Sequence, residues 1–318
     1  MLDVVATGDL LVDFAQKGKT DMGLPILEAQ PGGASANYIC TCAKFGLDTA
    51  FIGKVGDDAF GRLLSNLMER LNVNNSNIVL DKKYFTTLAF VTLDENGDRS
   101  FSFARKPGAD MKFEFYEVNK NLLNCRLFHF GSLMLTHEPS RSTTLKMIKE
   151  ARHNGALISF DPNLRESLWD DLDTAKKYMI IGLKEADIVK ISDDEIGFLF
   201  GCDEKLGGEI LVAEHNVKLC FITMGKRGCY FKTSKYAGYV KPFDVDTIDT
   251  TGAGDIFGGS AAYKFLSLHK SIEELTDTDL RMIAEFANTA ASLSTSKKGG
   301  IPSVPGIEEV IRNMAYAE

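Results

Sequence analysis

With 318 residues and an apolar share of 44%, the chain can build one large α/β domain or two smaller ones around a sizeable core. Its formal net charge of −8 argues against a nucleic-acid-binding surface, and no apolar run approaches the roughly 18–20 residues needed to cross a bilayer. The opening Met1-Leu2-Asp3-Val4 has no basic stretch ahead of an apolar one, so no signal peptide and a cytoplasmic location are expected.

In chain order, Val4–Asp13 reads as an apolar strand that ends on a carboxylate. Leu10–Lys17 with Leu24–Ala29, and Thr86–Leu93 with Arg99–Arg105, read as two strand pairs. Between the second pair lies Asp94-Glu95-Asn96-Gly97-Asp98, where Asn-Gly suits the positive φ angles of a tight turn. Phe103 alternates with Ser102 and Ala104, which gives that strand one apolar face. The two pairs together predict a small sheet beside the main body, its apolar face covered by substrate or by a second subunit.

From Leu127 onward the pattern changes. Leu127–Phe130, Ala156–Phe160, Asp187–Ile191 and Leu219–Thr223 are short apolar runs suited to strands buried on both faces. Helical patterns such as Ser140–His153 and a broken Ile272–Ser296 lie between or after them. This alternation predicts a mainly parallel sheet with helices on both sides. The six cysteines show no CxxC pair and no His partner at zinc spacing, so they read as buried small hydrophobes.

The strongest chemical signal is Asp249-Thr250-Thr251-Gly252-Ala253-Gly254-Asp255, between the extended stretch Tyr239–Ile248 and the helical pattern Asp255–Leu268. Small residues at a helix N-terminus let Gly252, Ala253 and Gly254 aim backbone N–H groups at one anion. Asp255 then sits in the first turn beside that anion, placed to take a proton from a hydroxyl. The segment lacks the Gly-Lys-Ser/Thr ending of a P-loop, and Phe257 stands where a dinucleotide fingerprint needs glycine.

This string resembles the C-terminal signature of the ribokinase-like (PfkB) carbohydrate kinases. Gly32-Gly33-Ala34-Ser35-Ala36-Asn37, followed by Gly53-Lys54-Val55-Gly56-Asp57-Asp58-Ala59-Phe60-Gly61, resembles the N-terminal one. The resemblance runs from Val4 to about Pro305. It implies a three-layer α/β/α sandwich around a mainly parallel sheet, with residues 1–13, 31–85 and 107–318 as the kinase domain. Residues 14–30 and 86–106 are then a small β-sheet lid, through which two copies form a homodimer.

The resemblance also implies ATP and Mg²⁺, Asp255 as base, and a sugar held by Asp13, Gly32, Gly33 and Asn37. Beside the match, Gly32 and Gly33 free the backbone to approach a ligand, and Asn37 offers an amide one turn on. Thr223, Gly225 and Gly228 resemble the family's Thr-x-Gly-x-x-Gly loop beside the ATP phosphates. Lys190 and Glu195 match the strand end that serves Mg²⁺ and its waters, with Ser192 replacing the usual asparagine. Asn288 falls where relatives wall the adenine pocket. Asp249, Thr251, Ser294, Gly299 and Ser303 match the positions that hold a monovalent cation, K⁺, in several relatives.

Two segments bear on the sugar. Phe103–Asp110 and Asp161–Arg165 both resemble the fructokinase and ketodeoxygluconate kinase branches. Arg105 and Arg165, if both face the site, suit an acidic sugar or the migrating phosphoryl group. Phe103, where acid-sugar kinases tend to carry tyrosine, and Pro107-Gly108-Ala109-Asp110 favour fructose, converted to fructose 6-phosphate. Ketodeoxygluconate is the alternative, followed by another sugar or a nucleoside; a non-catalytic sensor is the reading of a different class.

Overall fold

The computed structural model describes residues 1–93 and 99–314. In chain order its strands are β1 (Leu2–Thr7), β2 (Leu11–Lys19), β3 (Pro25–Gly32), β4 (Thr49–Gly56), β5 (Val73–Asp81), β6 (Leu88–Leu93), β7 (Arg99–Ala104), β8 (Cys125–Gly131), β9 (Leu157–Asp161), β10 (Ile188–Ser192), β11 (Leu219–Thr223), β12 (Cys229–Thr233) and β13 (Ala237–Val240). The helices are α1 (Ala34–Lys44), α2 (Ala59–Arg70), α3 (Ser140–His153), α4 (Leu172–Lys184), α5 (Asp193–Phe200), α6 (Glu204–Glu214), α7 (Ala253–Ser267), α8 (Asp277–Thr295) and α9 (Ile307–Met314).

A nine-stranded sheet runs β13-β12-β11-β10-β9-β8-β1-β4-β5. Its pairings are parallel except for β11–β12 and β12–β13, which form an antiparallel edge. Side chains alternate between two cores, as a period of two requires. Val4, Ala6, Leu127, Leu219 and Phe221 join the core with α1, α7 and α8, whereas Val5, Phe128, Cys220 and Ile222 face α3, α4 and α6. Burial on both faces explains why these strands read as unbroken apolar runs. Strand β1 has β4 and β5 on one side and β8 onward on the other, so the topology reverses beside it. Such a reversal leaves a crevice beyond the carboxyl ends of the strands.

The expected strand Val4–Asp13 is two strands. The chain turns at Gly8-Asp9-Leu10 and re-enters as β2, so Asp13 belongs to the second sheet. Gly8 makes the turn possible, because a Cβ there would lie 1.9 Å from the Ser35 hydroxyl. The second sheet runs β3-β2-β6-β7, drawn from two stretches far apart in sequence. The turn Asp94–Asp98 expected between β6 and β7 lies outside the described residues. Register sets Asp13 beside Ala89 and Ala89 beside Phe103, so Asp13 and Phe103 share one face. On the other face Phe14 stacks on Phe90 at 5.4 Å and meets Phe60 of α2 edge-on at 5.5 Å. The chain's own helix thus covers part of the face opposite Phe103, whereas the Phe103 face is the one expected to be covered by a substrate or second subunit.

Tyr239–Ile248, expected to be extended, holds a strand only to Val240, after which 241–248 run without regular structure to the α7 loop. The broken helical pattern Ile272–Ser296 resolves into a short 3₁₀ turn at Ile272–Glu274 and then α8. Among the described residues no helix is long and apolar enough to cross a membrane.

Candidate active site

The entrance to α7 is shaped by one glycine and one carboxylate. Gly252 caps the helix at φ 75°, a left-handed conformation that glycine adopts without strain. A Cβ there would also lie 2.9 Å from the Gly300 Cα and 3.0 Å from the Asn37 amide. Asp249 accepts from the Thr251 N–H at 2.8 Å and the Gly299 N–H at 3.0 Å, tying this loop to the one after α8. The α7 ladder opens with Ile256 N–H to the Gly252 carbonyl at 2.9 Å, leaving the N–H groups of Gly254 and Asp255 outside it.

Asp255 is buried in the first turn and accepts a 2.8 Å hydrogen bond from the Asn37 amide. Asn37, which lines the crevice, keeps its Oδ1 buried without a hydrogen-bond partner among the described residues, beside Gly300. The crevice has three adjoining parts. The first, about 320 Å³, is lined by Asp13, Gly33, Asn37, Phe103, Arg165 and Asp255, among others. The second, about 430 Å³, shares Arg165, Gly252 and Asp255 with the first and adds Lys190, Asp194, Glu195 and Thr223. The third, about 710 Å³, is lined by Thr223, Gly225, Gly228, Ala253, Gly254 and Asn288 and opens from the second. Asp255 stands where the first two meet, one carboxylate within reach of two binding volumes.

On the first part, Asp13 projects from β2 and its carboxylate is accommodated by Gly32, whose Cβ would lie 2.0 Å from Asp13 Oδ2. Gly32 makes room and does not line the cavity; Gly33 lines it, at φ 112°. Burial pushes Asp13 up to about 7, the charge of Asp9 adds to this, and Arg165 pulls the other way. Asp9 escaped the sequence reading. Its carboxylate accepts from the Ala34 N–H at 2.9 Å and the Ser35 N–H at 3.4 Å, capping α1, and it lines the same cavity. Burial raises its pKa, an effect that the Ala34 N–H opposes. The signal available was Gly8-Asp9 directly after an apolar strand.

Arg105 does not face the site. It is 2% exposed, and its guanidinium binds Asp110 Oδ2 at 2.7 Å, Thr136 Oγ1 at 3.0 Å and the Leu133 carbonyl at 3.0 Å. Asp110, six residues past the end of β7, captures it behind the cavity wall. Arg165 is the opposite case, exposed and lining both the first and second parts. Asn163, at φ 38°, turns the loop that presents it, and the Leu164 N–H donates to Glu195 Oε1 at 2.7 Å. Asparagine tolerates this left-handed region better than most residues.

Glu195 also accepts from the Ser192 N–H at 2.8 Å, while Ser192 caps α5 through the Glu195 N–H at 3.2 Å. Ser192 therefore serves the helix and still lines the second part. Lys190 pairs with Asp161 at 2.7 Å. Burial works against its ammonium, but Asp161, Glu195 and Asp255 outweigh that and hold its pKa above the ordinary lysine value. Its Nζ lies 3.2 Å from where a Cβ on Gly254 would be, which keeps that position small. Gly228 has φ 89° and would drive a Cβ within 2.1 Å of the Val240 carbonyl. Asn288 donates to the Val240 and Lys241 carbonyls at 3.1 and 3.2 Å, so it walls the third part and fixes its rim. Ser294, in the last turn of α8, and Ser303, in the turn that follows it, are buried and donate to the Ala291 and Gly300 carbonyls.

Residues 1–307 match the model of the pfkB family carbohydrate kinases. A probable fructokinase-2 of Arabidopsis thaliana is 39% identical over 310 residues, 95% of this chain and 92% of that one. A fructokinase of Xylella fastidiosa, solved with bound ATP, superposes with a TM-score of 0.92 at 27% identity over 100% of this chain and 99% of that one. A fructokinase double mutant of Vibrio cholerae O395, solved with fructose, ADP and potassium ion, gives 0.88 at 30% identity over 98% of each chain.

Proposed function

The chain belongs to the pfkB family of carbohydrate kinases, and from that premise we propose the reaction and the parts its residues play. It is an ATP-dependent sugar kinase that converts fructose to fructose 6-phosphate. The observation that carries the assignment of parts is the position of Asp255, shared by a cavity of hydroxyl acceptors and a cavity at a helix N-terminus.

Fructose lies in the first part, its hydroxyls donating to Asp13 and to Asn37 Oδ1. ATP lies along the third part with its phosphates in the second, beside Thr223, Gly225 and the N–H groups at Gly254 and Asp255. Asp255 takes the proton of the primary hydroxyl as the sugar oxygen bonds to the γ-phosphorus. The bond from that phosphorus to the β–γ bridging oxygen breaks, and ADP leaves. Arg165 and Lys190 face the charge that gathers on the transferring oxygens. The Asn37 amide keeps the Asp255 carboxylate aimed.

Carboxylate oxygens suit Mg²⁺, and Asp194 and Glu195 present them on the phosphate side. Glu195 uses one acceptor site on each oxygen for a backbone N–H, so it orders the ion through water. When bound, Mg²⁺ neutralises charge on the phosphates. Asp249 and Thr251 before α7 meet Gly299 and Ser303 after α8 through the Asp249–Gly299 bond, with Ser294 in the last turn of α8, and this oxygen-rich junction suits K⁺. The small sheet serves as a lid whose face with Asp13 and Phe103 excludes water, and its outer surface joins a second copy.

The test is ADP release with MgATP and fructose, ribose, ketodeoxygluconate, fructose 6-phosphate and adenosine, each with and without K⁺. Fructose should give the highest kcat/KM. Faster turnover of ketodeoxygluconate or adenosine would overturn the substrate assignment, and equal rates without K⁺ would remove the cation site.

A further inference from the structure

Among the described residues, four charged side chains line the sugar side of the crevice: Asp9, Asp13, Asp255 and Arg165. Three are carboxylates. The one guanidinium also lines the phosphate side, where a polyphosphate engages it. Arg105 is held behind the wall by Asp110, Thr136 and the Leu133 carbonyl. An anionic group entering with the sugar therefore meets two carboxylates besides the base, and no cation reserved for it.

Asp9 has no part in the transfer itself. It caps α1, but a neutral asparagine at that position would cap a helix equally well. What asparagine would not supply is charge, and Asp9 keeps a carboxylate on the cavity wall. Gly33 packs directly against it: a Cβ there would lie 2.3 Å from the Asp9 carbonyl oxygen and 3.3 Å from Asp9 Oδ2.

We propose that Asp9, together with Asp13, is a specificity-determining residue that admits neutral sugars and turns anionic sugars away. The inference rests on the fructose-kinase reading above and names the device by which that site chooses. Sugar hydroxyls donate to carboxylates, whereas a carboxylate or phosphate is repelled inside a cleft whose low-dielectric walls concentrate the field. Specificity then comes from a built-in clash with the wrong substrate rather than from an extra contact with the right one.

The charged groups facing Asp13 are Asp9 from the turn after β1, Asp249 and Asp255 from the entrance to α7, and Arg165 from the loop after β9. With Asp13 pushed up to about 7, it is ionised above that pH and protonated below it. Repulsion of an anionic sugar is strongest at alkaline pH and relaxes as the pH falls. A change that affects the transfer step alone slows both kinds of sugar and cancels in their ratio.

The experiment measures kcat/KM for fructose and ketodeoxygluconate, from about pH 6 to about pH 8.5, in the full-length wild type and in Asp9→Asn. The wild-type ratio of fructose to acid should rise with pH through about 7. At alkaline pH, Asp9→Asn should lower the ratio by about tenfold, the weight of one pKa unit of interaction. An unchanged ratio in a variant with native melting behaviour overturns the proposal. If the variant does not fold, the wild-type series decides alone, and a flat ratio overturns it. Turnover of another neutral hexose in place of fructose, with the same pH-dependent rejection of the acid, supports the filter while overturning the fructose reading. Preference for ketodeoxygluconate over every neutral sugar overturns both.

Discussion

Two segments of this molecule each carry an arginine just after a strand, and they differ in what that arginine can do. Phe103–Asp110 and Asp161–Arg165 both leave a strand near the crevice, and each carries a guanidinium. In the first, Asp110 lies five residues past Arg105 and buries it in a 2.7 Å pair, with Thr136 and Leu133 taking two more N–H groups. In the second, a turn at Asn163 and the Leu164–Glu195 bond hold the backbone and leave the Arg165 side chain exposed toward both binding volumes. An arginine beside a site is available only if no carboxylate behind it offers a better-desolvated partner. One guanidinium is structural here and the other is free to act.

The largest expected effect belongs to the residue both segments surround. Asp255→Asn should lower kcat by about 10²–10⁴, the usual contribution of a positioned base, with binding of fructose and ATP largely retained. Near-normal turnover in a folded variant would show that Asp255 is not the base.

Next comes Arg105→Ala, which strands Asp110 as an unpaired buried carboxylate. Denaturant unfolding should show a loss of about 3–5 kcal/mol, while the KM for fructose in the remaining folded enzyme changes little. Unaltered stability together with a selective change in KM for one sugar would place Arg105 in the cavity after all.

Arg165→Ala sharpens the comparison from the other side. Stability should stay within about 0.5 kcal/mol, because an exposed side chain is removed. Turnover should fall by about 10²–10³, as when one preorganised donor to a developing charge is lost. Equal losses of stability in the two alanine variants would erase the distinction between them.

Local pattern carried much of this. The alternating β and α runs, the Gly252-Ala253-Gly254 entry to α7 and the Asp255 position follow from period, residue size and helix-end chemistry, all of which act within a few residues. The Asp-Thr-Thr-Gly-Ala-Gly-Asp string was legible as a motif, although Gly299 and Asn37, which hold Asp249 and Asp255 in place, come from elsewhere in the chain. Asp9 was not legible, because its role depends on the amides of Ala34 and Ser35, distant in sequence and adjacent only after β1 and α1 pack. The break between β1 and β2 was hidden for a related reason: apolar residues continue through it, and only the close approach of Ser35 to Gly8 shows that the chain has turned. Residue type set which side chains could donate, accept or give way. Which arginine met a carboxylate first, and which carboxylates came to share a cavity, was decided by tertiary packing, since Coulomb and desolvation energies depend on distances that only the folded chain defines.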